Sequence, residues 1–239
     1  MVGKEALQII RKTRIDYNTI AADWDKTRVL PSGIKLKLLK DIKKGMKVLD
    51  LGCGNGLVAG QIMEAGASYM GTDISEKLIK IAKNKFKVEI KKAKFIVADA
   101  TKKLPLKNNY FDRIFCFAVL HHIPSDDLRV KLLSEVKRVL KKNGEARFIV
   151  WNLMNEWPYK RFKIKEQLKK PNARFEKGDV LLPWKATSDK IIDRYLYIFT
   201  KEKLKELAQK AGFKNIKIDY YNRAGKKEKN GEELVLKVK

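Results

Sequence analysis

The chain has little from which to build a cross-linked or metal-stapled protein. Its 239 residues include two cysteines, Cys53 and Cys116, and two adjacent histidines, His121 and His122. That excludes a disulfide framework and leaves no spaced ligand set for a structural metal, so no metal site and a reducing, cytoplasmic setting are expected. Long apolar runs are also lacking. The longest, Ile114 to Leu120, is strand-sized, and the N-terminus carries Lys4, Glu5, Arg11 and Lys12, so neither a membrane span nor an export signal is expected. Acidic residues are the third shortage: 28 Asp and Glu stand against 54 Lys and Arg, a formal charge of +26. Enrichment of the hyperthermophile kind would raise Lys and Glu together. Here the clusters at 35–47, 83–94, 160–170 and 226–229 leave the excess uncompensated, which points to a polyanionic partner, nucleic acid first.

The most informative residues that are present form one loop. Val48-Leu49-Asp50-Leu51-Gly52-Cys53-Gly54-Asn55-Gly56 is an apolar strand running into an acid and three glycines spaced two apart. No Lys-Ser/Thr pair comes after it, as a P-loop would need, and the spacing differs from the dinucleotide Gly-x-Gly-x-x-Gly. The glycines let backbone approach a ligand closely. Cys53 within the loop reads as a small buried residue rather than a reactive thiol. Asp73 ends a second short strand about twenty residues on, the place from which a carboxylate takes two ribose hydroxyls. Asp99 ends a third, where a purine amino group finds an acceptor. Any one of these acids alone could simply cap a neighbouring helix; three in order make a cofactor site.

The periodicity predicts helices over 4–28 and 34–42, and then alternation: strand 47–51, helix 57–65, strand 69–73, helix 75–85, strands 94–98 and 111–118, helix 126–141, strand 145–151. Residues 152–194 read as irregular, basic and aromatic. A helix from Thr200 to Ala211 and strands near 213–222 and 233–238 close the chain. This is an α/β, Rossmann-like pattern with helices on both faces of a mostly parallel sheet, in one domain spanning 1–239.

The ordered strand-end sites resemble the class I S-adenosylmethionine-dependent methyltransferases, whose sheet has seven strands, the last of them a reversed edge strand. The resemblance implies S-adenosyl-L-methionine as cofactor, with Asp50, Gly52, Gly54 and Gly56 holding its methionine part, Asp73 its ribose and Asp99 its adenine. Four further segments sharpen it: Asp23 to Arg28 followed by Pro31, Phe117 to Ile123 with the double histidine, Asp179 to Trp184, and Arg194 to Phe199. Together they resemble the tRNA wobble-uridine methyltransferases that esterify 5-carboxymethyluridine, including the methyltransferase part of the human AlkB-homologue enzyme. Two positions depart from that pattern: Ser32 comes after Pro31 where the family often has Trp, and Tyr197 stands where it has His.

The resemblance implies tRNA, met at its anticodon loop, as substrate, and a small zinc-binding activator that adds a strand to a sheet edge at 94–98. Residues 1–43 and 152–194 are then the expected substrate-side segments. A carboxylate is ionised near neutrality and needs no general base to attack a sulfonium methyl. What it needs is orientation, for which Arg28 and Arg194 are the candidate cations. His121 is the histidine expected to line the pocket, Trp151 a pocket wall, and Trp184, Tyr195 and Tyr197 candidate base-stacking rings. Two other readings compete. A methyltransferase for a small metabolite, such as a quinone or lipid precursor, would work independently of salt and retain no tRNA, and a non-catalytic RNA-binding protein would bind no labelled cofactor.

Overall fold

The computed structural model describes residues 3–89, 92–169, 175–185 and 191–239. Three helices, α1 (Gly3–Thr19), α2 (Ala21–Thr27) and α3 (Gly33–Leu39), precede the sheet. Next come β1 (Lys47–Leu51), α4 (Ala59–Glu64), β2 (Ser68–Asp73), α5 (Glu76–Lys85), β3 (Ala93–Val97), β4 (Phe111–Phe117), α6 (Asp126–Val139) and β5 (Leu140–Trp151). The C-terminal part holds α7 (Glu156–Arg161), α8 (Ile164–Lys169), β6 (Asp179–Lys185), β7 (Ile191–Tyr197), α9 (Lys201–Lys210), β8 (Ile216–Tyr221) and β9 (Glu233–Val238). Side-chain oxygens of Ser75, Ser125 and Thr200 accept from Leu78, Leu128 and Lys203 backbone N–H groups, which fixes where α5, α6 and α9 begin.

The main sheet runs β3-β2-β1-β4-β5-β9-β8, with β1 to β5 parallel and β9 antiparallel to both its neighbours. Strand order reverses at β1 and β4, and that reversal opens a crevice at the C-terminal ends of the strands. Alternation along β1 sends Leu49 and Leu51 to one face, with α6 and α9, and Val48 to the other, with α3 and α4. Each fully buried Leu, Ile or Phe contributes roughly 1.5–3 kcal/mol.

Two expectations need correction. The reversed strand is not an edge: β9 lies between β5 and β8, and its nearly continuous burial suits an interior strand, while the half-exposed β8 takes the edge. Residues 152–194 are also not irregular throughout. They contain α7, α8, β6 and most of β7, and β6 pairs with β7 in a separate two-stranded sheet. Pro183 masks the strand pattern, yet it is tolerated because a two-stranded sheet has only edge strands. Leu153, Ile164, Val180, Leu182, Leu196 and Ile198 form a small core of their own there. Positions 170–174 and 186–190 of this segment lie outside the described residues, as do Ile90 and Lys91.

Candidate active site

The glycine loop is shaped by its surroundings. Gly52 has φ +78°, and a Cβ there would stand 2.1 Å from Val119 Cγ2; both its N–H and that of Cys53 donate to the Thr72 carbonyl. Gly54, at φ +55°, donates its N–H to Asp73 Oδ2 (2.9 Å), and Ser75 N–H donates to Asp73 Oδ1 (2.8 Å). Burial raises the Asp73 carboxyl while these backbone bonds work against the rise. Asp99 Oδ1 accepts from the Thr101 N–H and hydroxyl. Asp50 is buried and accepts from the Tyr69 hydroxyl at 2.8 Å. Burial pushes its carboxyl up to about 6, opposed by Tyr69 and Lys35.

All three acids line one cavity of about 330 Å³, together with Gly52 and Gly54. Its lining also includes Tyr17 and Trp24 from α1 and α2, Arg28 just after α2, His122 after β4, Trp151 at the end of β5, and Lys35 and Glu233. Asn55 joins loop to helix by donating to Asp25 Oδ1 and to the Arg28 carbonyl. The Arg28 guanidinium lies 4.4 Å from the Trp24 ring centroid, and burial together with Arg194 lowers its proton affinity.

The two histidines divide differently from expectation. His122, not His121, lines the cavity. Its Nδ1 is 2.8 Å from the Tyr195 carbonyl, which requires Nδ1–H, so Nε2 accepts from the Tyr17 hydroxyl at 3.0 Å. Burial and Arg194 push His122 down to about 3. His121 is fully buried, its Nδ1 accepts from Trp151 N–H, and its Nε2 has no partner. Both rings are neutral, and neither is a proton carrier near pH 7.

Arg194 is 4 % exposed, its guanidinium stands 5.4 Å from the Trp151 centroid, and its Nε and Nη1 are buried without a partner. The neighbouring tyrosines are structural. The Tyr195 hydroxyl donates to Asp179 Oδ1 and accepts from Arg129 Nη2, while Tyr197 lies under Arg129 and against Phe199. They pin β7 to α6 and offer no ring to a base. Trp184 is half-buried, 6.0 Å from Trp24 between centroids. Among the described residues no group of three or more His, Cys, Asp or Glu is placed to hold a metal ion, and no helix is long and apolar enough to cross a membrane.

A family model described as a methyltransferase domain matches residues 49–148. The tRNA (carboxymethyluridine(34)-5-O)-methyltransferase of Schizosaccharomyces pombe is 30% identical over 208 residues, covering 82% of this chain and 86% of that protein. The chain belongs to the tRNA carboxymethyluridine methyltransferase family. It is thus a class I S-adenosylmethionine-dependent methyltransferase. It spans only 34% of the Arabidopsis thaliana member (32% identical, 59% of this chain) and 22% of mouse ALKBH8 (31% identical, 65% of this chain). Among solved structures, a Pyrococcus horikoshii protein superposes with TM-score 0.63 at 22% identity, covering 86% of this chain and 87% of that one. A complex between the Haloferax volcanii Trm112 methyltransferase activator and a methyltransferase gives TM-score 0.64 at 14% identity, covering 93% and 95%. Both share the fold.

The cavity fits this family's cofactor. A Cβ on Gly54 would meet only the Trp24 indole nitrogen, at 3.6 Å, so a side chain there would fill the space a ligand needs. Sequence reasoning missed Tyr17, Lys35, His122 and Glu233, which reach the cavity from separate stretches of chain. Only Asn55, inside the loop itself, carried a local signal.

Proposed function

We propose that this chain transfers the cofactor's methyl group to the carboxylate of 5-carboxymethyluridine at the tRNA wobble position. The observation that carries this reading is Arg194, a buried guanidinium with two nitrogens lacking partners; it does not itself line the cavity but stands against Trp151, which does, and it acts on a second cation, Arg28, in the lining. Buried guanidinium nitrogens without partners are unfavourable by themselves, and a planar fork suits a carboxylate. S-adenosylmethionine supplies an electrophilic methyl on a sulfonium. Asp73 and Asp99 would accept from ribose and adenine, and Asp50 with the glycine loop would hold the methionine part.

The acceptor's carboxylate oxygen forms the new O–CH₃ bond as the S–CH₃ bond breaks, its electron pair staying on sulfur. No proton moves, in keeping with two neutral histidines. The products are a methyl ester and S-adenosylhomocysteine. Arg28 and Arg194 orient the carboxylate, Tyr17 is held by His122 beside them, and in-line positioning supplies up to roughly 7–11 kcal/mol.

The +26 charge suits an RNA substrate. We take residues 1–43 and 152–194 as its RNA-facing parts, with Trp184 stacking on a base. β3 is a sheet edge, with Val97 exposed on it, and would receive an activator of the Trm112 kind, which we take to be zinc-binding. The test is methyl transfer by the purified protein, alone and with such an activator, to tRNA carrying 5-carboxymethyluridine, with mass spectrometry of the nucleosides as readout. Formation of the methyl ester is expected. Methylation of a free small acid or quinone, with none on this tRNA, overturns the reading.

A further inference from the structure

The cavity lining holds a fourth carboxyl, one for which the reaction has no use. Glu233 opens β9, a strand whose remaining residues are mostly apolar and buried. Its backbone faces Trp151 on one side and Tyr221 on the other, so the strand does not need its side chain. Yet that side chain lines the cavity, is 7 % exposed, and buries Oε2 without a partner. Leaving such an acceptor unsatisfied is costly, and a strand position beside Leu234 would be filled more stably by an apolar residue.

Strand order separates Glu233 from the cofactor acids. Asp50, Asp73 and Asp99 lie at or just beyond the ends of β1, β2 and β3, whereas Glu233 lies on β9, past β4 and β5 on the other flank. Three strand spacings put it about 14 Å from the β1 axis. The cofactor therefore occupies one flank and the acceptor the other. On the acceptor flank the cavity walls are Phe117, Ile149 and Trp151, an apolar slot suited to a flat ring. Lys35, on α3, also lines the cavity; burial lowers its proton affinity, an effect that Glu233 and Asp50 oppose. Glu233 and Lys35 thus both line the cavity along with an apolar slot, and Arg28 is in the same lining.

We infer that Glu233 and Lys35 form a subsite that reads the hydrogen-bonding edge of the acceptor base, Glu233 accepting from uracil N3–H and Lys35 donating to the neighbouring O4. This rests on the uridine reading above. N3–H and the C5 arm leave the ring in different directions with O4 between them, so a base whose carboxymethyl group reaches toward Arg28 and Arg194 presents N3–H to a different wall. Glu233 would also repel the arm's carboxylate, which disfavours the flipped orientation. Burial pushes the Glu233 carboxyl up to about 7, opposed by Lys35 and Arg223 and reinforced by Glu232. Of these, Arg223 lines the cavity too.

The experiment is RNA binding by the full chain in the presence of S-adenosylhomocysteine. Three anticodon stem–loops are compared, carrying uridine, 5-carboxymethyluridine, or N3-methyl-5-carboxymethyluridine at the wobble position. The wild-type protein is expected to bind the N3–H form about ten- to a hundredfold more tightly than the N3-methyl form, as for a hydrogen bond to a charged group. Glu233→Met should bring that ratio close to one and Glu233→Gln should lower it partly, both with S-adenosylhomocysteine affinity unchanged. A wild-type ratio near one, or a ratio kept in Glu233→Met, overturns the subsite. So does a tenfold loss of S-adenosylhomocysteine affinity in Glu233→Gln, which would assign the carboxyl to the cofactor. Equal wild-type binding of the unmodified and carboxymethylated loops overturns the uridine-carboxylate reading itself, whatever the N3 ratio.

Discussion

The two flanks of the cavity differ in how well they are satisfied. On the cofactor flank each acid has fixed partners: Asp50 has Tyr69, Asp73 has Gly54 and Ser75, and Asp99 has Thr101. On the proposed acceptor flank Glu233 lines the cavity with Oε2 unpartnered, and Arg194, behind Trp151, has two nitrogens with none. A site that binds one ligand in every turnover can be preorganised by its own backbone. A site for a large, varied substrate leaves its polar groups for the substrate to complete, at a cost in stability when the substrate is absent.

The sharpest way to break this contrast is to exchange a group on each flank. Arg194→Met should lower kcat/KM on carboxymethylated tRNA by about 10²–10³-fold, because truncating one partner of a buried charged pair costs roughly 2–5 kcal/mol. Cofactor affinity should stay within about threefold, since Arg194 lies outside that flank. The same variant should melt at a higher temperature than wild type, because it removes a buried charge with two unpartnered nitrogens. Asp73→Ala should do the reverse, weakening cofactor binding about tenfold or more while loosening the loop that Gly54 ties to it. Calorimetry with cofactor, single-turnover kinetics and thermal melts decide it. A stable Arg194→Met protein with wild-type turnover removes the basis of the contrast.

Asp50 tests the same idea within the cofactor flank, with a smaller effect. Its carboxyl is held up at about 6 by burial, against about 3.9 in an unfolded chain. Below about pH 4 it is protonated in both states and does not affect stability. Between about 4 and 6 the folded state binds the extra proton, so stability falls as pH rises, and above 6 the whole cost is present. Asp50→Asn should therefore stabilise the ligand-free protein by about 1–3 kcal/mol at pH 7 and by almost nothing at pH 4, while weakening the cofactor. Melting curves at the two pH values measure this; an equal shift at both would mean that charge is not the cause.

The contrast also accounts for what could be read from the chain. The proposed cofactor flank is written locally: Asp50, Gly52, Gly54 and Asp73, which line the cavity, lie within one strand–turn–helix–strand stretch, whereas Gly56 is not in the lining and a Cβ on it would meet Phe86. Strands β1 to β4 lie within a residue of their expected bounds, and β5 begins five residues earlier. The proposed acceptor flank draws on α1, α3, the turn after β4 and β9, with Arg194 of β7 behind Trp151. No spacing relates Lys35 to Glu233, or Tyr17 to His122. The tyrosines of β7 misled because alternation says which residues share a face and not what that face meets. Tyr195 and Tyr197 turn to Arg129 on α6, a buried arginine whose role was invisible until α6 was packed. His121 and His122, adjacent in sequence, separate because the 3₁₀ turn at Leu120–His122 points them in different directions.

Outside the cavity the excess lysines give the smallest effects and the finest test of the RNA reading. Lys160 and Lys163 stand in the 152–194 segment, and Lys226 and Lys229 lie in the turn before β9; all four are exposed and none is in the cavity. If they meet phosphates, each works by releasing condensed counterions, which depends on charge and not on the base. Single changes to alanine should lower tRNA affinity less than about fivefold and reduce the slope of log affinity against log salt by about 0.7–0.9 for each phosphate no longer neutralised. Cofactor affinity and the N3 discrimination of the acceptor base should not move. Arg194→Met makes the useful opposite: its loss should track the carboxymethyl group, falling on modified tRNA and sparing the unmodified form, because a carboxylate clamp reads chemistry whereas surface lysines read charge. Lysine changes that leave the salt slope at its wild-type value would mean that tRNA sits elsewhere on the protein, and would leave the 152–194 segment without its proposed RNA-facing role.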